Sequence, residues 1–216
     1  MSKSKNSIIP MVLLTIGIMV LIFFLTNSKT KLPVYNPSDF NPELVDVSIQ
    51  NTENHKVPDF ELINHNGKKI THEDYKDKIY VTDFFFTTCL TVCPIMSNNM
   101  EKLQEKFIDN DDIMFLSLSV TPILDSVPIL KKYATRHGVI DTKWNITTGN
   151  KKHIYNLARK SYFAVVEQGD GGVQDFIHTP NFILVDKKKQ IRGVYDGTMP
   201  DEIARIIQDM EILQKE

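Results

Sequence analysis

The apolar positions of this chain change period several times, and each change marks an element. Val57 to Ile63 alternates, Asn66-Gly67 supplies a turn and Lys68 to Thr71 begins the return, which predicts a β-hairpin. Tyr80 to Phe86 is then a β-branched and aromatic run suited to a buried strand, whereas Met96, Met100, Leu103 and Phe107 recur at the spacing of one helix face. Asp112 to Val120 predicts a second buried strand. Ser126 to Arg136 predicts a helix with Val127, Leu130 and Ala134 facing inward and Tyr133 beside them. Trp144 to Gly149 reads as a short strand ending in a turn, and Lys151 to Tyr162 as a helix. Pro180 to Asp186 and Gln190 to Tyr195 read as strands joined at Lys187 to Lys189. A last helix starts near Pro200, with Asp201 and Glu202 in its first turn and an apolar stripe of Ile203, Ile206, Ile207, Met210 and Leu213. The strand, helix, strand order implies a right-handed crossover and a parallel pair.

The first residues have a different pattern. Ile8 to Leu25 is an uncharged, almost wholly apolar run preceded by Lys3 and Lys5, long enough to reach the lower end of what spans a bilayer. The expected organisation is a short cytoplasmic start (1–7), a transmembrane signal anchor (8–26), an extended tether rich in Asn, Ser and Pro (27–55) and a folded domain (56–216). Lys29 and Lys31 after the span nearly balance the two lysines before it, so charge alone does not fix the orientation. A basic start, one apolar run and a large polar remainder favour export of that remainder, and a cleaved signal peptide would export it equally.

Residues 1–26 hold two lysines and no acid, which leaves 23 basic against 27 acidic side chains, a balance of −4, in the exported part. That balance speaks against nucleic acid as a partner. The chain has two cysteines, Cys89 and Cys93, placed where the first buried strand gives way to its helix. In an oxidising compartment a structural disulfide is the default reading, but so small a loop restrains the unfolded chain little. Pro94 suits the first helical position, which makes Cys93 the expected N-cap and, beside free helix N–H groups, the expected thiolate.

The order of elements, with a dithiol at the first strand-to-helix junction, resembles the thioredoxin-like fold, an α/β fold that here carries an N-terminal β-hairpin extension and is preceded by one transmembrane helix. Thr179-Pro180 before the strand Asn181 to Asp186 resembles the Thr-Pro of that superfamily, where a cis proline packs against the dithiol. By that resemblance His178 sits beside Cys89 and Cys93. Two thiolates and one imidazole form a soft set suited to Cu(I), able to hold Cu(II) with an added ligand, and open also to zinc. The other histidines, at positions 55, 65, 72, 137 and 153, lie in tether, turns or helix and are assigned no function.

From about Val57 onward the chain is similar to the Sco/SenC family of membrane-anchored copper proteins that help assemble the copper centre of cytochrome c oxidase. The run from Phe84 to Pro94 resembles the family's F-x-F-T-x-C-x-x-x-C-P, Trp144 with Gly149 its W-x(4)-G, and Asp175 to Thr179 its histidine segment. Leu90 stands where many members have proline, and Thr121 where an acid usually precedes the acid matched by Asp125, a residue that could otherwise cap the helix beginning near Ser126. The resemblance implies that Cys89, Cys93 and His178 are copper ligands and that copper, as Cu(I) or Cu(II), is delivered to the copper-bearing subunit of cytochrome c oxidase. It also implies other copper carriers or thioredoxin-like reductants as further partners, and a single-pass location in a bacterial plasma (inner) membrane with the domain on the periplasmic or extracytoplasmic side. The alternative function is a thiol-disulfide oxidoreductase in which Cys89 and Cys93 are catalytic, reducing cysteines of the oxidase subunit or of another exported protein. A third is an adaptor whose dithiol is only a small disulfide.

Overall fold

One seven-stranded mixed sheet carries the fold, and the apolar run before the cysteines lies inside it. The computed structural model describes residues 11–19, 31–40, 52–165, 169, 171–172 and 174–216, and the chain divides into two units, Met1–Lys31 and Leu32–Glu216. In the second unit the elements run β1 (Glu61–Asn64), β2 (Lys69–Thr71), β3 (Ile79–Phe85), α1 (Val92–Lys106), β4 (Ile113–Ser119), α2 (Val127–Arg136), β5 (Trp144–Thr148), α3 (Lys151–Asn156), β6 (Asn181–Val185), β7 (Ile191–Asp196) and α4 (Pro200–Leu213). A π turn, Leu157–Ser161, continues α3. The sheet order is β2-β1-β5-β4-β3-β6-β7, the mixed α/β arrangement expected of a thioredoxin-like domain with an added hairpin.

Every residue of β3 is buried, as its unbroken apolar character requires of a strand covered on both faces. It pairs parallel with β4 through Val81↔Phe115 and antiparallel with β6 through Thr82↔Ile183. The pleat then divides the core. Val81 and Phe85 face a cluster with Met96, Met100 and Leu103 of α1, Leu130 of α2 and Ile206 and Met210 of α4. Tyr80 and Phe84 face the other cluster, with Ile154, Tyr155 and Tyr162. That α1 and α2 share a face results from two right-handed crossovers stepping the same way, β3 to β4 to β5.

Before β1 the structure meets the expected organisation at two stretches. Residues 11–19 are helical with exposed side chains, and among the described residues no helix is long and apolar enough to cross a membrane. Residues 1–10 and 20–30 of the expected cytoplasmic start, anchor and tether lie outside the described residues, as do 41–51. Within the stretch read as an extended tether, residues 32–40 are instead held against the sheet. Tyr35 donates its N–H to the Ile191 carbonyl at 2.8 Å. The buried Arg192 guanidinium donates to Pro33 O at 2.9 Å and Leu32 O at 2.7 Å, and pairs with Asp186 at 2.8 Å and Glu216 at 2.7 Å. A composition rich in Pro and Asn predicts no periodic element, but it does not prevent carbonyls from meeting a buried cation.

Removing the guanidinium leaves the buried Asp186 carboxylate without its cation, a cost of about 3 kcal/mol or more. Arg192→Ala is therefore expected to lose about that much stability in denaturant unfolding and to open residues 32–40 to limited proteolysis. A loss below about 1 kcal/mol with an unchanged cleavage pattern would contradict this assignment.

Candidate functional site

Beyond Phe85 the chain leaves the sheet, and Cys89 lies in the turn before α1 with its N–H bonded to the Phe86 carbonyl at 3.2 Å. The helix starts at Val92 with Thr91 as N-cap. Cys93 is therefore the second helical residue and not the N-cap, and Pro94 the third. The first turn of any helix has N–H groups without intrahelical partners, so proline is tolerated there at more than one position. The shift of register exchanges the roles expected of the two sulfurs. Cys93 N–H donates to Cys89 Sγ at 3.4 Å, so the Cys89 sulfur takes a place at the helix N-terminus.

The ionisation reflects this geometry. Partial burial works against the Cys89 thiolate, but the Cys93 N–H, assisted by the Thr91 and Val92 N–H groups and the Cys93 thiol, outweighs it and brings the thiol down to about 7. Cys93 is pushed up to about 12 by burial, with the nearby Cys89 and Asp83 adding to the rise against one backbone bond at Phe86. Both are free thiols, Cys89 half-buried and Cys93 buried. The expectation that Cys93 is the readily ionised thiol is thus corrected: it is Cys89.

Two carboxylates shape this end of the sheet in ways the sequence pattern does not announce. Asp83, the lone acid within β3, is buried, accepts from Ser117 Oγ at 2.5 Å, and is held up near 7 by that burial; its signal is an acid inside an apolar strand. Asp125 is fully buried and does not cap α2, whose N-cap is Ser126. Its carboxylate accepts from Thr87 N and Oγ1 at 3.2 and 2.5 Å, from Ser119 Oγ at 2.5 Å and from Thr121 Oγ1 at 2.9 Å. It fastens the cysteine turn to the loop after β4, and so saturated a group serves structure and not ligation.

His178 arrives from the other side, three residues before β6. It is exposed, and Phe176 stacks on it with ring centroids 6.1 Å apart while meeting Phe86 edge-on at 5.1 Å. Thr179 Oγ1 donates to Ala164 O at 2.8 Å, which pins the segment behind the histidine. Among the described residues no peptide bond is cis, so the cis proline implied at Pro180 is not found. Cys89, Cys93 and His178 nevertheless open into one cavity of about 480 Å³, walled by Phe84, Phe86 and Phe176. Among the described residues no three His, Cys, Asp or Glu side chains are grouped closely enough to hold a metal ion; to share one, the thiols and the imidazole have to close on each other across the cavity they line.

Four of the five remaining histidines have structural partners: His55 with Ser161 O at 2.8 Å, His65 with Asp141 at 2.9 Å, His137 with Glu101 at 2.5 Å and His72 with Glu73 at 2.9 Å. Among the described residues the buried His153 Nε2 has no partner.

Against known proteins, a family model described as SCO1/SenC matches residues 49–213. The SCO1 protein homolog of Bacillus subtilis (strain 168) is 33% identical over 165 residues, covering 76% of this chain and 85% of that protein. The crystal structure of a SCO1/SenC family lipoprotein from Bacillus anthracis str. Ames is similar with a TM-score of 0.66 at 32% identity, over 76% of this chain and 98% of that one. BsSco, described with a disulfide switch and as a member of the Sco family of cytochrome c oxidase assembly proteins, is similar with a TM-score of 0.63 at 32% identity, over 76% of this chain and 95% of its own. The matched span encloses both cysteines, His178 and all seven strands, and the chain belongs to the SCO1/SenC family.

Proposed function

We propose that this protein is a membrane-anchored copper carrier that holds copper through Cys89, Cys93 and His178 and passes it by ligand exchange to the copper-bearing subunit of cytochrome c oxidase. The observation that carries the reading is the convergence of two free thiols and an imidazole on one apolar cavity. Soft sulfur donors favour Cu(I), and a set of only three protein ligands suits it better than it suits a structural zinc, which usually takes four; the imidazole can remain when the ion is Cu(II). The phenylalanine walls give the sulfurs a largely apolar surround, while the exposure of His178 leaves one donor free to detach during transfer. The residues present fit the ion, with the condition that thiols and ring close on one another. The apolar run 8–26 supports anchoring in the plasma membrane with the domain on its outer side.

A second reading is favoured by the asymmetry of the thiols. A thiolate at Cys89 attacks one sulfur of a partner disulfide, forming a mixed disulfide and releasing the partner's other sulfur as a thiolate. Cys93, on losing its proton, attacks Cys89 Sγ. The partner leaves as a dithiol, and Cys89 and Cys93 are left oxidised to a disulfide. The half-buried sulfur of depressed pKa beside a buried one of raised pKa suits these two successive steps. Such a reductase would prepare the cysteines of the oxidase subunit or of another exported protein.

The reduced protein is expected to take up about one copper per chain without oxygen, and His178→Ala to weaken Cu(I) retention by at least about tenfold, the scale that even outer-shell partners of a metal reach. Absence of copper uptake, or an unaltered affinity in His178→Ala, would sink the carrier reading. Alkylation separates the thiols. Because the Cys89 pKa is depressed, its rate is expected to fall about tenfold per pH unit below pH 7 and to level off above it. Cys93 should stay far slower until strongly alkaline pH. Equal rates at pH 7 in the Cys89→Ser and Cys93→Ser variants would contradict the assigned asymmetry.

A further inference from the structure

The segment that delivers His178 is fastened at both ends, and the fastening on its N-terminal side is a part-buried ion pair that neither proposed reaction uses. Arg159 Nη1 and Nη2 donate to Asp175 Oδ2 and Oδ1 at 2.6 and 2.7 Å, a bidentate fork. The two side chains are only 11% and 9% exposed. Gly171 N–H adds a third bond to the carboxylate at 2.7 Å. The Asp175 carbonyl accepts from Lys151 Nζ at 2.6 Å and Tyr155 OH at 3.2 Å. The single Tyr155 hydroxyl proton is shared between that carbonyl and Val120 O at 3.0 Å, directly after β4, which links the grip to the sheet.

The surroundings leave little tolerance. A Cβ at Gly169 would stand 2.3 Å from Asp175 Oδ2 and 2.4 Å from Arg159 Nη2, so a side chain there would displace the fork. Arg159 itself projects from the π turn, where Tyr162 N–H reaches back five residues to Leu157 O at 2.8 Å. Such single-turn insertions are uncommon and concentrate at functional sites.

Between Asp175 and the second fastening at Thr179 only three residues remain. Ile177 is buried as a peg, while Phe176 and His178 on either side of it are exposed toward the cavity they line. With its backbone held this way, the imidazole keeps mainly side-chain rotation. An ion pair near the surface adds little to stability, and one fully removed from water adds little beyond apolar residues of the same shape, so position is the more direct explanation for keeping this part-buried pair.

From this geometry we infer that Arg159 is a positioning residue for metal binding: its grip on Asp175 holds the 176–178 span so that His178 stays within reach of the Cys89 and Cys93 sulfurs. The inference rests on the copper reading above. It differs from a purely structural role in predicting that the loss on breaking the grip is the same loss as removing the imidazole.

The test uses reduced full-length protein without oxygen and Cu(I) competed against a chromophoric chelator. Asp175→Asn is expected to weaken Cu(I) binding about 10- to 100-fold, and Arg159→Lys, which keeps the charge but not the fork, by less. The double variant Asp175→Asn/His178→Ala is expected to bind no more weakly than His178→Ala alone, since two changes acting through one interaction do not add. Wild-type affinity in a folded Asp175→Asn protein, or full multiplication of the two losses, would overturn the inference. If Asp175→Asn fails to fold, Arg159→Lys combined with His178→Ala is read by the same criterion. Should His178→Ala alone leave affinity untouched, the copper reading fails. Amide exchange of metal-free protein then decides the grip by itself: exchange at 176–178 faster by about tenfold or more in Asp175→Asn, with β3 unchanged, supports it, and unaltered exchange refutes it.

Discussion

The antiparallel register between β3 and β6 is the constraint on which the site depends. With Thr82 opposite Ile183, the end of β3 at Phe85 comes level with Pro180, two residues after His178. A segment almost ninety residues downstream of the cysteines is thereby brought to the mouth of their turn by backbone pairing. The parallel partner β4 performs the complementary task. It ends beside β3 and sends Asp125 across to hold Thr87, so the cysteine turn is fixed from one side while the histidine loop is pinned on the other.

Within that frame the sulfurs are chemically unequal because of where the helix begins. One residue of helical register decides which thiol meets the free N–H groups, and α1 begins early enough to give them to Cys89. Cys93 sinks into the core face of the same helix, near the buried Asp83. A half-buried, readily ionised sulfur beside a buried, reluctant one suits metal ligation and disulfide exchange alike, and the two proposed functions draw on the same asymmetry.

Much of this is legible in the sequence because it depends on period and on side-chain type. Most strands and helices fall within a residue or two of their expected bounds, but β1 begins at Glu61 and not Val57, and the helix expected to run to Tyr162 ends at Asn156 and goes on as the π turn; the apolar stripe of α1 is buried as its spacing requires. Motif resemblance singles out Cys89, Cys93 and His178, and one cavity receives all three. The features that escape depend on tertiary partners. Pro94 marks the first turn of a helix but not the position within it, so it points to the wrong thiol as the one that ionises. Thr179-Pro180 resembles a superfamily signature without its cis bond. Leu32 to Phe40 has no period to announce it, yet Arg192 holds its start. Arg159 and Asp175 stand sixteen residues apart, with nothing local to mark them as a pair.

The central claim is that two sulfurs and one imidazole, separate in sequence and joined only by the fold, act on the same ion. X-ray absorption at the copper edge of the Cu(I)-loaded, reduced protein measures this directly through the nature and number of neighbouring atoms. The account predicts two sulfur scatterers and one nitrogen with the outer-shell pattern of an imidazole, the nitrogen vanishing in His178→Ala. A first shell of sulfur alone, unchanged by that substitution, would contradict it.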